Sequence, residues 1–497
     1  MATTLLKGGT VLMHGEDDKV TPALVDILIQ GGRIANIGSN LSPEAGCDVV
    51  DCASKIISPG FIDTHHHMWE APLKGLFGDC AFVPYMAIMY TASRSLEAED
   101  FFWANLATGM ELLDAGTTTV LDHAHAQWSP EHSKQSIAGI LSAGIRSIYA
   151  PAPTLQLDSE KPKANFVLGG ALPEWFMETF ELLAASQSIR EADSRLKLGF
   201  GFDIYYLPKE TIQEIFQRVK SLGAQIITSH YIRPHGEKSY SVAAQLHSYG
   251  LLDDKIVLSH AGGATAEDVK LISEANAYVA VTPSSESAMA VGPPVAFREG
   301  DLNMDKNCAL GIDCAAFGSG SLVQEMRLGL QSARRLDSMA HHAHGTLPKG
   351  VFHTTHEAFN MATIHGARAL CMEEDIGSIQ IGKKADLVVF DALSPSMAGA
   401  AQQDPIMAIV LHSNVGDVDA VMVDGQFRKR DGKLLPARET VWTDNTTRNF
   451  VETGKTLSWR EIACSLLQIQ ERFVGRLKDY DLDHIATSLS SLFHFPE

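Results

Sequence analysis

The chain has 497 residues, 45% of them hydrophobic and 20% charged, a globular composition sufficient for one large barrel with an appendage or for two to four ordinary domains. A formal net charge of −20 with no Lys/Arg cluster argues against nucleic acid and anionic membrane as partners and leaves small molecules. Seven scattered cysteines without a Cys-x-x-Cys pair, no basic-then-apolar leader and no run of about 18 apolar residues fit a reducing, cytoplasmic setting, not a disulfide framework, a thiolate zinc site or a membrane span.

Residues 1–58 read as short strands broken by glycine turns, at 5–12, 26–30, 33–38 and 49–57, with Gly31-Gly32 as a hairpin signal. The same grammar returns at 379–381, 385–390 and 420–423, with turns at Gly382-Lys383 and Asp424-Gly425. Neither piece is large enough to close a core alone, so 1–58 and 383–440 are expected to pair into one small β-sandwich domain built from both ends of the chain. Between them, residues 59–382 alternate strand, loop and helix. An apolar strand runs into His65, and further strands are expected at 117–121, 144–150, 196–202, 224–229, 256–259, 277–281 and 308–312. A helix starting near Ser95 carries Phe102, Leu106, Met110 and Leu113 and stops at Gly116; another presents Ile212, Phe216 and Val219 and ends at Gly223. Thr265-Ala-Glu-Asp268 opens a third as a capping box. Eight strands in this order predict an α/β fold, a (β/α)8 TIM-like barrel whose catalytic residues lie at the C-terminal strand ends. Residues 441–497 read as a helical C-terminal extension, with Ile462, Leu466, Ile469 and Phe473 at helical spacing and a neighbouring subunit as one possible partner. A homo-oligomer, dimer or tetramer, is expected.

The strand ends carry the chemistry. In Ser58-Pro-Gly-Phe-Ile-Asp-Thr-His-His-His-Met-Trp69, alternation along an extended chain puts His65 and His67 on one side and His66 on the other, so the first two can pinch one metal ion. Strand five ends at His230, strand six at His260 and strand eight at Asp313. Each has an ordinary structural reading alone; together they place five metal-competent groups where a barrel aims its active site. His123 and His125 at the end of strand two face one side by alternation and are candidates for substrate contact. Glu286 after strand seven is another, with stabilisation of its turn as the alternative. Trp69, Phe77, Phe82, Tyr85, Met86 and Met89 make the loop after strand one either a lid over a flat substrate or core packing.

Through Pro-Gly-Phe-Ile-Asp-Thr-His-His-His, Ser-His-Ala-Gly, Leu-Gly-Ile-Asp and Ile-Gly-Lys-Lys-Ala-Asp-Leu-Val-Val, the chain resembles the amidohydrolase superfamily, in its cytosine deaminase-like and triazine hydrolase-like branch, over residues 1 to about 440. The resemblance implies that His65, His67, His230 and Asp313 bind one divalent ion, zinc first and iron second. Strand four has no lysine at its C-terminal end, since Lys197 lies near its start, so the carboxylated-lysine bridge of two-metal members is expected to be absent. It implies that Asp313 and His260 are catalytic, and that the protein is a metal-dependent hydrolase of carbon–nitrogen bonds other than peptide bonds. Amide hydrolysis or deamination of a small cyclic or heteroaromatic compound by metal-bound hydroxide is the expected reaction. Alternatives on the same site are dechlorination and decarboxylation, with a non-catalytic scaffold as a different class. The sequence departs from the family three residues after the strand-five histidine, where related deaminases carry a proton-shuttling glutamate and this chain has Arg233. His235 and Glu237 are the nearby replacements. Arg233 itself suits an anionic group of a substrate if its side chain enters the pocket, or pairs with Glu237 if it points to solvent.

Overall fold

The computed structural model describes residues 3–43, 45–153, 155–158, 161–167, 172–233, 240–292, 295–298, 302–314, 316–351, 353–443 and 448–493. Among these, parallel strands at Phe61–His66, Thr117–Ala124, Arg146–Pro151, Leu196–Leu198 with Phe200–Gly201, Ile227–Ile232, Ile256–Gly262, Tyr278–Val281 and Cys308–Leu310 pair neighbour to neighbour. The fourth strand breaks at Gly199. Pairing crosses the break because Gly199 N donates to Tyr149 O and Phe200 N to Ile226 O, both at 2.9 Å. The seam between the eighth strand and the first is closed by Ile312 N and Asp313 N, which both donate to His65 O at 3.2 and 2.7 Å, and by His67 N donating to Asp313 O at 2.7 Å. Only glycine fits at 311, because a Cβ there would stand 2.9 Å from the backbone N and O of His65. The TIM-like barrel therefore closes through the residues that carry the expected ligands.

Strands from both chain ends form one sheet, in the order Lys433–Leu434, Gln426–Arg430, Val418–Val423, Leu387–Asp391, Lys55–Pro59, Thr3–His14, Val20–Gln30, Arg33–Gly38, with Asp48–Asp51 beside Thr3–His14. The period-2 alternation decides its two faces. Ile57, Leu387 and Val389 turn into the sheet's own core with Ile27, Ile29 and Met422, whereas Ile56, Val388 and Phe390 turn the other way into the barrel core. Gly31 and Gly32, at φ 60° and 84°, make the two-residue hairpin between Gln30 and Arg33.

Several boundaries differ from expectation. Residues 379–381 form no strand: Ile379 is buried in the sheet's core, and the chain turns at Gly382, whose N donates to Ile34 O at 2.8 Å. The helix expected from near Ser95 runs Ala98–Asp114, started by a capping box of Glu97 and Asp100, and a further helix, Phe82–Ser95, precedes it. The expected boundary at 440 falls inside a hairpin of Ala437–Thr443 with Asn449–Leu457. Beyond it, helices Trp459–Leu477 and Leu482–Phe493 cover their own chain: Ile469, Phe473, Ile485 and Leu489 share a core with Trp69, Phe77, Tyr85 and Met89. That core sits over the loop following strand one. No helix among the described residues is long and apolar enough to cross a membrane.

Candidate metal centre

The side chains of His65, His67, His230 and Asp313 converge so that one ligand atom from each lies within 4.8 Å of the others. Asp313 Oδ1 is 3.2 Å from His65 Nε2 and 3.1 Å from His67 Nε2, and His230 Nε2 is 3.2 Å from His67 Nε2. Each ring is held from behind. Ser259 Oγ lies 2.8 Å from His65 Nδ1, the carbonyl of His123 accepts from His67 Nδ1 at 2.7 Å, and the Asp203 carboxylate accepts from His230 Nδ1 at 2.9 Å. These contacts turn Nε2 of all three imidazoles towards one point. His66 points away as alternation requires and rests its Nδ1 2.8 Å from Asp63.

The residues fit a metal. Despite its proximity to Asp313, His65 Nε2 hydrogen-bonds nothing among the described residues, and neither does Asp313 Oδ2, although both are buried. Orphaned polar atoms of this kind are costly unless a ligand satisfies them. Three imidazoles and a carboxylate are a donor set suited to zinc and its first-row neighbours. Burial holds His65 well below the usual imidazole value, the neutral form a ligand needs. Burial would raise Asp313, but the His65 and His67 imidazoles beside it hold it well below the carboxylate range. The centre is enclosed, with His65, His67 and Asp313 at most 2% exposed, and opens on the side of His230 and Asp203, whose side chains are about a quarter exposed.

The backbone pays for this convergence in strain. His260, Ala261 and Asp313 take left-handed conformations at φ 72°, 51° and 68°, and pairing between the fifth and sixth strands slips between Tyr231 and Ile232. Strained non-glycine residues clustered at strand ends mark a site whose geometry is over-determined by its surroundings. His260 Nδ1 lies 2.9 Å from Thr282 Oγ1, and Glu286 accepts from Thr282 N at 2.9 Å, 3.6 Å from the same His260 nitrogen. Glu286 therefore stands behind His260, away from open space.

The remaining candidates separate. His123 packs its ring 4.4 Å from that of His230 and shares Asp203 with it, at 3.0 Å. His125 stacks on His67 at 3.9 Å and accepts from Trp69 Nε1 at 3.1 Å. Trp69 is 1% exposed and lies on Phe101, so the aromatic loop after strand one forms helices and core in place of an open lid. Arg233 does not enter the centre: its guanidinium pairs with Asp268 and reaches Thr265 Oγ1 at 3.2 Å. His235 and Glu237 lie outside the described residues. Two partners carry no motif of their own. Asp203 lies two residues beyond the fourth strand, in Gly201-Phe-Asp203, where a lone acidic residue gives no distinguishing signal. Glu70 was hidden in the aromatic loop; it is 1% exposed and accepts from Tyr85 Oη at 3.0 Å and Cys314 Sγ at 2.5 Å.

The amidohydrolase family profile matches residues 56–428. A 5-methylthioadenosine/S-adenosylhomocysteine deaminase of Pyrococcus abyssi is 27% identical over 461 residues, 88% of this chain and 96% of that protein. A 5'-deoxyadenosine deaminase of Methanobrevibacter smithii is 24% identical over 88% of this chain and 95% of its own. Among solved structures, an adenosine deaminase from Xanthomonas campestris with bound zinc superposes with a TM-score of 0.76 at 17% identity, over 95% of this chain and 99% of that one. A triazine hydrolase from Arthrobacter aurescens gives 0.74 at 18%, over 95% and 100%. At such identity the two structures speak for the fold.

Proposed function

This chain belongs to the amidohydrolase family and is a metal-dependent hydrolase of carbon–nitrogen bonds other than peptide bonds, and from that premise we propose that it removes an exocyclic amino group from a small heteroaromatic ring. The observation that carries the reading is the four-residue convergence of His65, His67, His230 and Asp313, with two of its buried ligand atoms hydrogen-bonding nothing among the described residues. These four would hold one divalent ion, zinc before iron. When bound, such an ion lowers the pKa of water and polarises the bond under attack.

The chain's own residues supply the rest. Asp313, kept ionised, accepts a proton from the attacking water and returns it to the leaving nitrogen. His260, oriented by Thr282 and Glu286, presents Nε2 to the ring heteroatom that gains charge; one such donor is worth ~2.7–4 kcal/mol. Asp203 fixes the His230 ring. Arg233 stands where related deaminases carry a shuttling glutamate and is engaged by Asp268, so it takes no part in the proton transfer assigned to Asp313. The relatives' names make adenine nucleosides altered at the 5' position the first substrates to try. Ammonia release from a panel of aminopurines, aminopyrimidines and aminotriazines tests the reading. Release of chloride or CO2 in place of ammonia, or no release from any amino-substituted ring, would overturn it.

A further inference from the structure

A second set of metal-competent side chains lies outside the catalytic centre, where the chain enters the eighth barrel strand. Asp305 begins the short turn Asp305–Asn307 that leads into Cys308–Leu310, so it stands at the opposite end of that strand from Asp313. His353 and Glu357 flank the start of the helix Thr355–Met361. One ligand atom from each of the three lies within 4.8 Å of the others. The sequence hides this cluster, because the whole helix Leu322–Ala343 lies between Asp305 and His353 in the chain.

Its donors are left unmet. His353 is 3% exposed, and its buried Nε2 hydrogen-bonds nothing among the described residues. Its Nδ1 stands 3.9 Å from Glu357 Oε2, too far for a hydrogen bond. Asp305 Oδ2 accepts from Asn303 Nδ2 at 3.1 Å, while Oδ1 is buried and has no partner among the described residues. Buried polar atoms in this state are costly unless a ligand meets them, and no lysine or arginine among the described residues pairs with either carboxylate. The backbone around the cluster is fixed by other groups: Arg334 donates to His353 O from Nε at 3.3 Å and Nη2 at 2.9 Å, and Asp305 N donates to Asn303 Oδ1 at 3.1 Å. The Phe297 ring packs 5.5 Å from the imidazole. Glu357 Oε2 caps its helix by accepting from Thr354 N at 2.6 Å, but a carboxylate has about four lone-pair sites, so the cap does not exclude coordination. The Glu357 side chain is 40% exposed, which gives an ion a way in and leaves room for water at its remaining positions. Donors held at roughly 2.0–2.2 Å from a first-row ion stand roughly 3–4 Å apart, so the three groups need to close by about an ångström.

We propose that Asp305, His353 and Glu357 bind a second divalent transition-metal ion, zinc or manganese, that ties the helix Thr355–Met361 to the entry of the eighth strand. The imidazole selects against magnesium and calcium, and the two carboxylates neutralise the ion. The cluster lies at the far end of the eighth strand from the catalytic ligands, so the ion supports the fold, and the proposal does not depend on the reaction assigned there.

Equilibrium dialysis of the full-length protein against zinc, with metal analysis, and calorimetry with zinc, manganese and magnesium test it. Wild type should hold one equivalent more than His353→Gln, and filling that site should raise Tm saturably. Asp305→Asn, of nearly the same shape as the native residue, should lose the same equivalent. In both variants affinity for the extra ion should fall by at least the roughly 10–100-fold that losing a mere supporting partner of a ligand costs, while kcat is unchanged. His356→Gln, at an exposed neighbour on the same helix that faces Asp404, should keep the ion. Equal metal content in wild type and both cluster variants, affinity for magnesium matching that for zinc, or loss of the extra ion in His356→Gln overturns the proposal.

Discussion

Asp313 and His260 combine a reactive side chain with a left-handed backbone, and both properties shape how they should be tested. Asparagine tolerates that conformation well, so Asp313→Asn and His260→Asn should keep the barrel intact. Asp313→Asn should retain much of the metal yet lose most turnover, since an amide cannot take the water's proton. His260→Asn should lower kcat by about 10²–10³, the usual cost of one donor to developing charge, with its circular dichroism unchanged. Arg233 illustrates a different residue-level outcome. Its side chain, about a fifth exposed, is held by the nearly inaccessible Asp268, which also caps a helix through Thr265. Arg233→Ala should therefore cost stability, by about 1.5–3 kcal/mol for a hydrogen bond to a charged group, and leave KM unchanged. A tenfold rise in KM with unchanged thermal unfolding would instead restore a substrate-binding role.

At the scale of elements, the seam and the C-terminal helices decide whether the centre is formed. Gly311→Ala forces a Cβ to within 2.9 Å of the His65 backbone, so the eighth strand must move away from the first and separate Asp313 from the two histidines. Reduced metal content together with lowered thermal stability is the expected result, measured on the purified variant by metal analysis and calorimetry. Phe473 is fully buried in the core over the loop after strand one, and Phe473→Ala should cost about 3–5 kcal/mol. That core also contains Trp69, which holds His125 against His67, so the same variant should lose turnover beyond its loss of folded protein.

For the molecule as a whole, metal content and function should rise and fall together. Three imidazoles and one carboxylate, without a bridging group between two ions, lead us to expect one equivalent of metal per chain at the catalytic end. Chelation should abolish ammonia release and lower Tm, because a ligand bound only to the native state stabilises it by mass action, and zinc should restore both. Two equivalents, both required for turnover, would refute a single-ion centre.

Much of this was readable from periodicity and spacing. His65-x-His67 at the end of an apolar strand, and single polar groups ending the strands at His230, His260 and Asp313, follow from local sequence, because alternation fixes which side chains share a face and barrel geometry fixes which end is catalytic. Gly31-Gly32 fixed a hairpin and Thr265 with Asp268 a helix start for similarly local reasons. What surrounds those residues depends on contacts between segments far apart in the chain. Asp203 reaches His230 across 27 positions, Glu70 meets Cys314 across 244, and Arg233 finds Asp268 in place of Glu237 or a substrate. The C-terminal helices could be recognised by their 3.6-residue stripe, but the stripe records only that one face is buried. Which surface buries it, here the aromatic loop after the first strand, is settled by the packing of the whole chain.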